Sequence, residues 1–88
     1  MAIDPSAVID PSAKVHKNAE ICAYAVIGAN VEIGSGTIVE SHAVIQGPTK
    51  IGKNNHIYSF ASIGGAPEDI TYEEGQESNL VIGDDNLI

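Results

Sequence analysis

The chain offers three kinds of side chain that could do chemistry: three histidines, a single thiol and a cluster of carboxylates. His16, His42 and His56 are the groups able to carry a proton or hold a metal near neutral pH. A zinc centre would need three imidazoles, or their equivalents, converging on one point. His42 and His56 are 14 residues apart and fall on different columns of the repeat described next, so neither a metal nor a cofactor is expected. Cys22 is alone and forms no internal disulfide, which suits a reducing cytoplasm. The stretch from Gly65 to Asn79 holds Glu68, Asp69, Glu73, Glu74 and Glu77. Long loops in compact repeat folds are commonly functional.

What positions these groups is a beat of six. From Ile3 to Ile63 every sixth residue is Ile or Val: Ile3, Ile9, Val15, Ile21, Ile27, Ile33, Val39, Ile45, Ile51, Ile57 and Ile63. Two residues before each, from Ala7 to Ala61, runs a column of Ala, Val or Thr in which Asn55 is the one departure. Such positions would wander around a helix of 3.6 residues per turn. They suit a short strand plus a turn, with the small residue and the β-branched one on the same strand face. The residue between them must face outward, and that column mixes Lys14, Glu20, Glu32 and Lys50 with Val8, Val26 and Val44.

Strands this short bury a face only if the chain coils and each turn stacks on the last. Three hexads per coil predict a rung of 18 residues, and the sequence carries that longer period. Val8, Val26 and Val44 are 18 apart, as are Ser6, Tyr24, His42 and Phe60, and the charge ladder Lys14, Glu32 and Lys50. The fold class predicted is all-β, a parallel β-helix of triangular section. Coils occupy residues 1–64, a protruding loop 65–79, and the start of the next coil 80–88. Gly28 and Gly34 are expected at corners that need unusual dihedrals. The ladder of charges reads as a solvated face of small energetic value. An outward valine stripe beside an aromatic and imidazole column is unusual for a monomer and reads as a subunit face.

The hexads resemble those of the hexapeptide-repeat acyltransferases. That resemblance implies a left-handed β-helix and a homotrimer built on Val8, Val26, Val44, Tyr24, His42 and Phe60. The run from Thr49 to Gly64 with the following Gly65-Ala66-Pro67-Glu68-Asp69-Ile70-Thr71-Tyr72 is similar, more closely, to the UDP-N-acetylglucosamine O-acyltransferases of lipid A synthesis. Members of that group move a (3-hydroxy)acyl chain from acyl carrier protein to the sugar 3-hydroxyl. The reaction needs a base for the hydroxyl proton and donors for the oxyanion. The resemblance places the base, a histidine, on a coil beyond residue 88, so no catalytic residue is expected among His16, His42 and His56. It assigns Asp69 to the sugar, with Glu68 beside it. Thr71 stands where the group commonly carries a lysine, so a hydroxyl replaces a cation there.

Charge bounds the partners. With twelve acids against four lysines and no arginine, the formal net charge is −8, which argues against nucleic acid and anionic membrane surfaces. No apolar run approaches membrane-spanning length and nothing resembles a signal peptide, so a cytoplasmic protein is expected. Acyl carrier protein is itself acidic and would have to dock through residues downstream. Ile88 is an interior-type position with no polar cap after it, which reads as the opening portion of a longer enzyme, inactive alone. Two other classes fit a β-helix. A non-catalytic assembly module would show flat, regular, Thr-rich outer columns, and a zinc hydrolyase like the β-helical carbonic anhydrases would need convergent histidines.

Overall fold

The computed structural model describes residues 2–64 and 80–88. Among the described residues twelve short strands run in order: β1 (Ala2–Ile3), β2 (Val8–Ile9), β3 (Lys14–Val15), β4 (Glu20–Ile21), β5 (Val26–Ile27), β6 (Val31–Ile33), β7 (Ile38–Val39), β8 (Val44–Ile45), β9 (Thr49–Ile51), β10 (His56–Ile57), β11 (Ser62–Ile63) and β12 (Leu80–Ile82). Every third strand joins the same sheet. The first sheet is β1-β4-β7-β10, the second β2-β5-β8-β11 and the third β3-β6-β9-β12. All pairings are parallel, and Ile or Val sits on Ile or Val in every one of them, as in Ile9 on Ile27 on Ile45 on Ile63. The beat of six is therefore a three-sided coil.

Its core is the predicted ladder. Ile21, Ile27, Ile33, Val39, Ile45, Ile51, Ile57 and Ile63 are buried, with Ala19, Ala25, Val31 and Ala43 packed among them. Each Ile or Val so enclosed contributes roughly 1.5–3 kcal/mol. Ile3, Ile9 and Val15, on the first coil, are only partly covered.

Corners are made differently from expectation. In seven turns the left-handed residue is the third after the core aliphatic: Tyr24, Asn30, Gly36, His42, Asn54, Phe60 and Asp85 all have φ between 56° and 74°, whereas Gly64 directly follows Ile63. Gly28 and Gly34 are not among the positive-φ residues. What requires glycine at position 34 is close stacking of coils, because a Cβ there would lie 2.5 Å from the Gly52 carbonyl oxygen. Asn, Asp and Gly enter the left-handed region readily, whereas bulky side chains do so at a cost of about 1–2 kcal/mol.

The first corners are held by local polar turns. Ser6 Oγ donates to Asp4 Oδ1 at 2.6 Å and accepts the Tyr24 N–H of the coil above at 3.0 Å. Ser12 repeats this with Asp10 in its own turn and Asn30 on the coil above. The near-verbatim Asp-Pro-Ser repeats thus link one rung to the next.

After Ile63 the spacing changes. Contacts between coils that otherwise join residues 18 apart join residues 31 apart once β12 is reached, as between Lys53 and Asp84. Ile82 lies in register on Ile51, and the bridge from His56 to Leu87 begins the next side.

Candidate functional site

Strand β11 ends the second sheet on top of Ile45, and β12 ends the third sheet on top of Thr49 and Lys50. The chain therefore departs and returns at the corner between those two sheets. The departure is built around Gly64, whose φ is +81° and whose backbone packs against Gln46 and Thr49 so closely that a Cβ would not fit. On the return side the Leu80 N–H donates to the Pro48 carbonyl at 3.2 Å. Asp69, Glu68 and Thr71, the proposed sugar contacts, lie outside the described residues.

Below that corner the second sheet presents the valine column. Val8 is 61% exposed, Val26 and Val44 are half-buried, and the three are paired directly in register. At the corner between the first and second sheets the rings of Tyr24, His42 and Phe60 form a continuous stack, with centroids 5.3 and 5.1 Å apart and planes within 29°. Tyr24 and Phe60 stay 61% and 76% exposed. Three bulky residues accept left-handed backbone in order to line up there, and offset stacking returns about 0.5–1.5 kcal/mol per pair.

Another cluster was not legible in the sequence. The His56 ring stacks on Tyr58 at 4.4 Å, and its Nε2 meets Glu40 Oε2. Ser59 Oγ donates to the other oxygen of Glu40 at 3.2 Å. These bonds, the histidine's first, hold the Glu40 carboxyl below its ordinary range. Glutamate lies between histidine and serine, so the histidine does not reach the hydroxyl it would have to activate. The cluster is a brace at the aromatic corner, not a nucleophile and base. Coil stacking alone makes it, because Glu40 and Tyr58 occupy the same turn position one rung apart, a signal readable only with the 18-residue period in hand.

Cys22 lies on that same turn column. Burial first, and then the charges of Glu20, Glu40 and Asp4, push its thiol up from the ordinary value. His16 is elsewhere, its Nδ1 accepting the Asn18 N–H at 3.0 Å inside its own turn. The three histidines are thus not brought together. Among the described residues there is no group of three His, Cys, Asp or Glu able to hold a metal ion, and no helix long and apolar enough to cross a membrane.

A three-sheet parallel coil with this beat defines a class. The model of the bacterial transferase hexapeptide family, six repeats, matches residues 12–47 and 30–65, and the chain belongs to that family. Within it, the chain is 53% identical over 55 residues to the acyl-[acyl-carrier-protein]–UDP-N-acetylglucosamine O-acyltransferase of Saccharophagus degradans, a match covering 62% of this chain and 21% of that protein. Among solved structures it superposes on LpxA from Acinetobacter baumannii with a TM-score of 0.91 and 45% identity, over 100% of this chain and 34% of that one. The Francisella novicida UDP-N-acetylglucosamine acyltransferase gives 0.90 and 48%, over 98% of this chain and 31% of that one. The β-helix is left-handed, the sense the resemblance implied. The chain spans about a fifth of the curated relative's length and about a third of the solved structures'.

Proposed function

We propose that this chain is the β-helical scaffold portion of an acyl-[acyl-carrier-protein]–UDP-N-acetylglucosamine O-acyltransferase, acting in the cytoplasm as a homotrimer in lipid A synthesis. The observation that carries the reading is superposition over the whole chain, at 45–48% identity, on structures of that activity. In the reaction the sugar 3-hydroxyl gives up its proton to a base and attacks the thioester carbonyl. The oxyanion then collapses, and the carrier's thiol leaves with a proton. The base is a histidine outside these 88 residues. What this chain supplies is a rigid corner from which residues 65–79 depart, and Asp69 among them accepts a hydrogen bond from a sugar hydroxyl.

The second-sheet valines and the Tyr24–His42–Phe60 stack form the subunit face. An exposed apolar stripe beside stacked rings loses its unfavourable hydration when covered by a neighbour. Asp69 belongs to the segment that follows the far edge of that sheet, and the reading assigns it to a cleft between subunits. Steady-state acyl transfer by the whole protein tests the assignment. Asp69→Asn is expected to raise KM for UDP-N-acetylglucosamine about tenfold, the loss of a charge-assisted hydrogen bond of about 1.5 kcal/mol. Unchanged KM would remove Asp69 from the sugar site, and a wild-type protein that acylates no UDP-N-acetylglucosamine would overturn the activity itself.

A further inference from the structure

All the lysines of this acidic chain lie on one strip of its surface. Lys14 and Lys50 face outward from the third sheet, at the same position two rungs apart and with Glu32 between them. Lys17 and Lys53 repeat that spacing at the adjoining corner, and all four are exposed. A groove of about 480 Å³ runs along this strip, lined by Lys14, Lys50 and Lys53 together with His16, Glu32 and Asp84, with Gly34 and Gly52 in its floor; Lys17 is not part of the lining. Those glycines bring the floor low because successive coils touch there backbone to backbone. Their N–H groups are committed to the ladder, to the carbonyls of Ile51 and Ile82. Recognition in the groove must therefore come from the lysine walls.

From this arrangement we infer that the groove is a docking site for an acidic helix of another protein, lying along the coil axis with carboxylates two turns apart. Two rungs measure about 9.6 Å at the spacing of neighbouring strands, and two helical turns about 10.8 Å. A helix carrying Glu or Asp at i and i+7 thus meets Lys14 and Lys50 on one wall, with a further carboxylate for Lys53 on the other. The turn between them faces Glu32 and must be neutral or basic there, which gives the site a pattern and not only a sign. Asp84 stands at the upper end of the groove, where its Oδ1 accepts the Lys53 N–H at 2.7 Å. The site lies on a different sheet from the valine stripe. It does not depend on the acyltransferase reading. A broad anionic membrane would meet Glu32 and the remaining acids of a −8 chain, which disfavours it.

The test uses the intact protein and a stapled, alanine-based helical peptide of about 16 residues, long enough to stay helical. The peptide carries glutamates two turns apart on both flanks and a lysine on the turn between. A second peptide has the same composition with the glutamates one turn apart. Calorimetry at low salt is expected to show binding of the first, at least about fivefold tighter than the second. The double variant Lys50→Ala with Lys53→Ala, both exposed, is expected to weaken it at least about tenfold while leaving the melting temperature unchanged. Equal affinity for the two peptides, unchanged affinity of the variant, or no binding would overturn the inference. Displacement of the peptide by inorganic phosphate at matched ionic strength would overturn it in favour of a small-anion site.

Discussion

The side-chain Oδ1 of Asn55 accepts the backbone N–H of Asn86 at 2.8 Å, joining residues 31 apart with residues 65–79 between them in the chain. Its Nδ2 donates to the Gly83 carbonyl, also at 2.8 Å. Its own N–H donates to Thr37 Oγ1 one rung below, and that hydroxyl donates to the Gly52 carbonyl. Asn55 is 1% exposed. The departure from the small-residue column is thus a buried polar stitch, and it fixes the register in which the chain resumes coiling.

Asn55→Ala removes both side-chain bonds and leaves the partners at Gly83 and Asn86 unpaired. The loss expected is about 1–3 kcal/mol, the cost of an unsatisfied polar group away from water. Urea unfolding of the intact protein measures it. A neighbouring outward change, Ser62→Ala, should leave the midpoint where it was.

Covering the second-sheet face is what the proposed trimer requires. Val26→Lys combined with Val44→Lys puts two charges into that contact, and sedimentation should then give a monomer. A trimer that survives both changes would show that subunits meet elsewhere.

Acid should loosen the aromatic corner. Glu40 is held below its ordinary value of 4.5 by His56 and then Ser59, and Asp4 and Asp10 below 3.8 by hydrogen bonds from Ser6 and Ser12. A carboxylate whose folded value is depressed adds stability that is complete above its unfolded value and is lost as pH falls through the folded one. Melting temperature should therefore be flat with respect to these groups above about pH 5 and decline below it. Glu40→Gln should flatten part of that decline. An identical acid profile for the variant would contradict the role given to the His56–Glu40 contact.

Cys22 should react slowly. Its thiol is half-buried and pushed up by burial and by Glu20, Glu40 and Asp4, so little thiolate is present at neutral pH. Iodoacetamide should modify the folded protein at neutral pH more slowly than the urea-unfolded chain. Equal rates would mean that neither burial nor the neighbouring carboxylates protects the sulfur.

Much of this architecture could be read before any coordinates. Ile or Val at every sixth position can satisfy one geometry only, and the 18-residue spacing of Tyr24, His42 and Phe60 already stacked them in one column. Hidden, by contrast, was the backbone they adopt, since nothing in Tyr or Phe signals left-handed φ; stacking and coil closure impose it. The glycines misled for the complementary reason. Gly28 and Gly34 look like turn residues, yet the structure uses Gly34 for the space a missing Cβ leaves between coils. Asn55 showed only as an irregularity, because its partners Gly83 and Asn86 lie past an insertion that erases the beat. The Glu40–His56 contact and the lysine groove needed the register of stacked coils, which adds side chains from distant hexads to one surface.

The claim beneath all of this is that alternate residues of each hexad face inward and outward. Ile33 is buried and Glu32 beside it is exposed, so a pair of thermal melts followed by circular dichroism tests it most directly. Ile33→Asp should abolish the cooperative transition, since a charge enters the core and an aliphatic leaves it, at a cost above about 4 kcal/mol. Glu32→Ala should melt within a few degrees of wild type. The reverse order, or equal tolerance of both changes, would contradict the three-sided coil and everything hung from its corners.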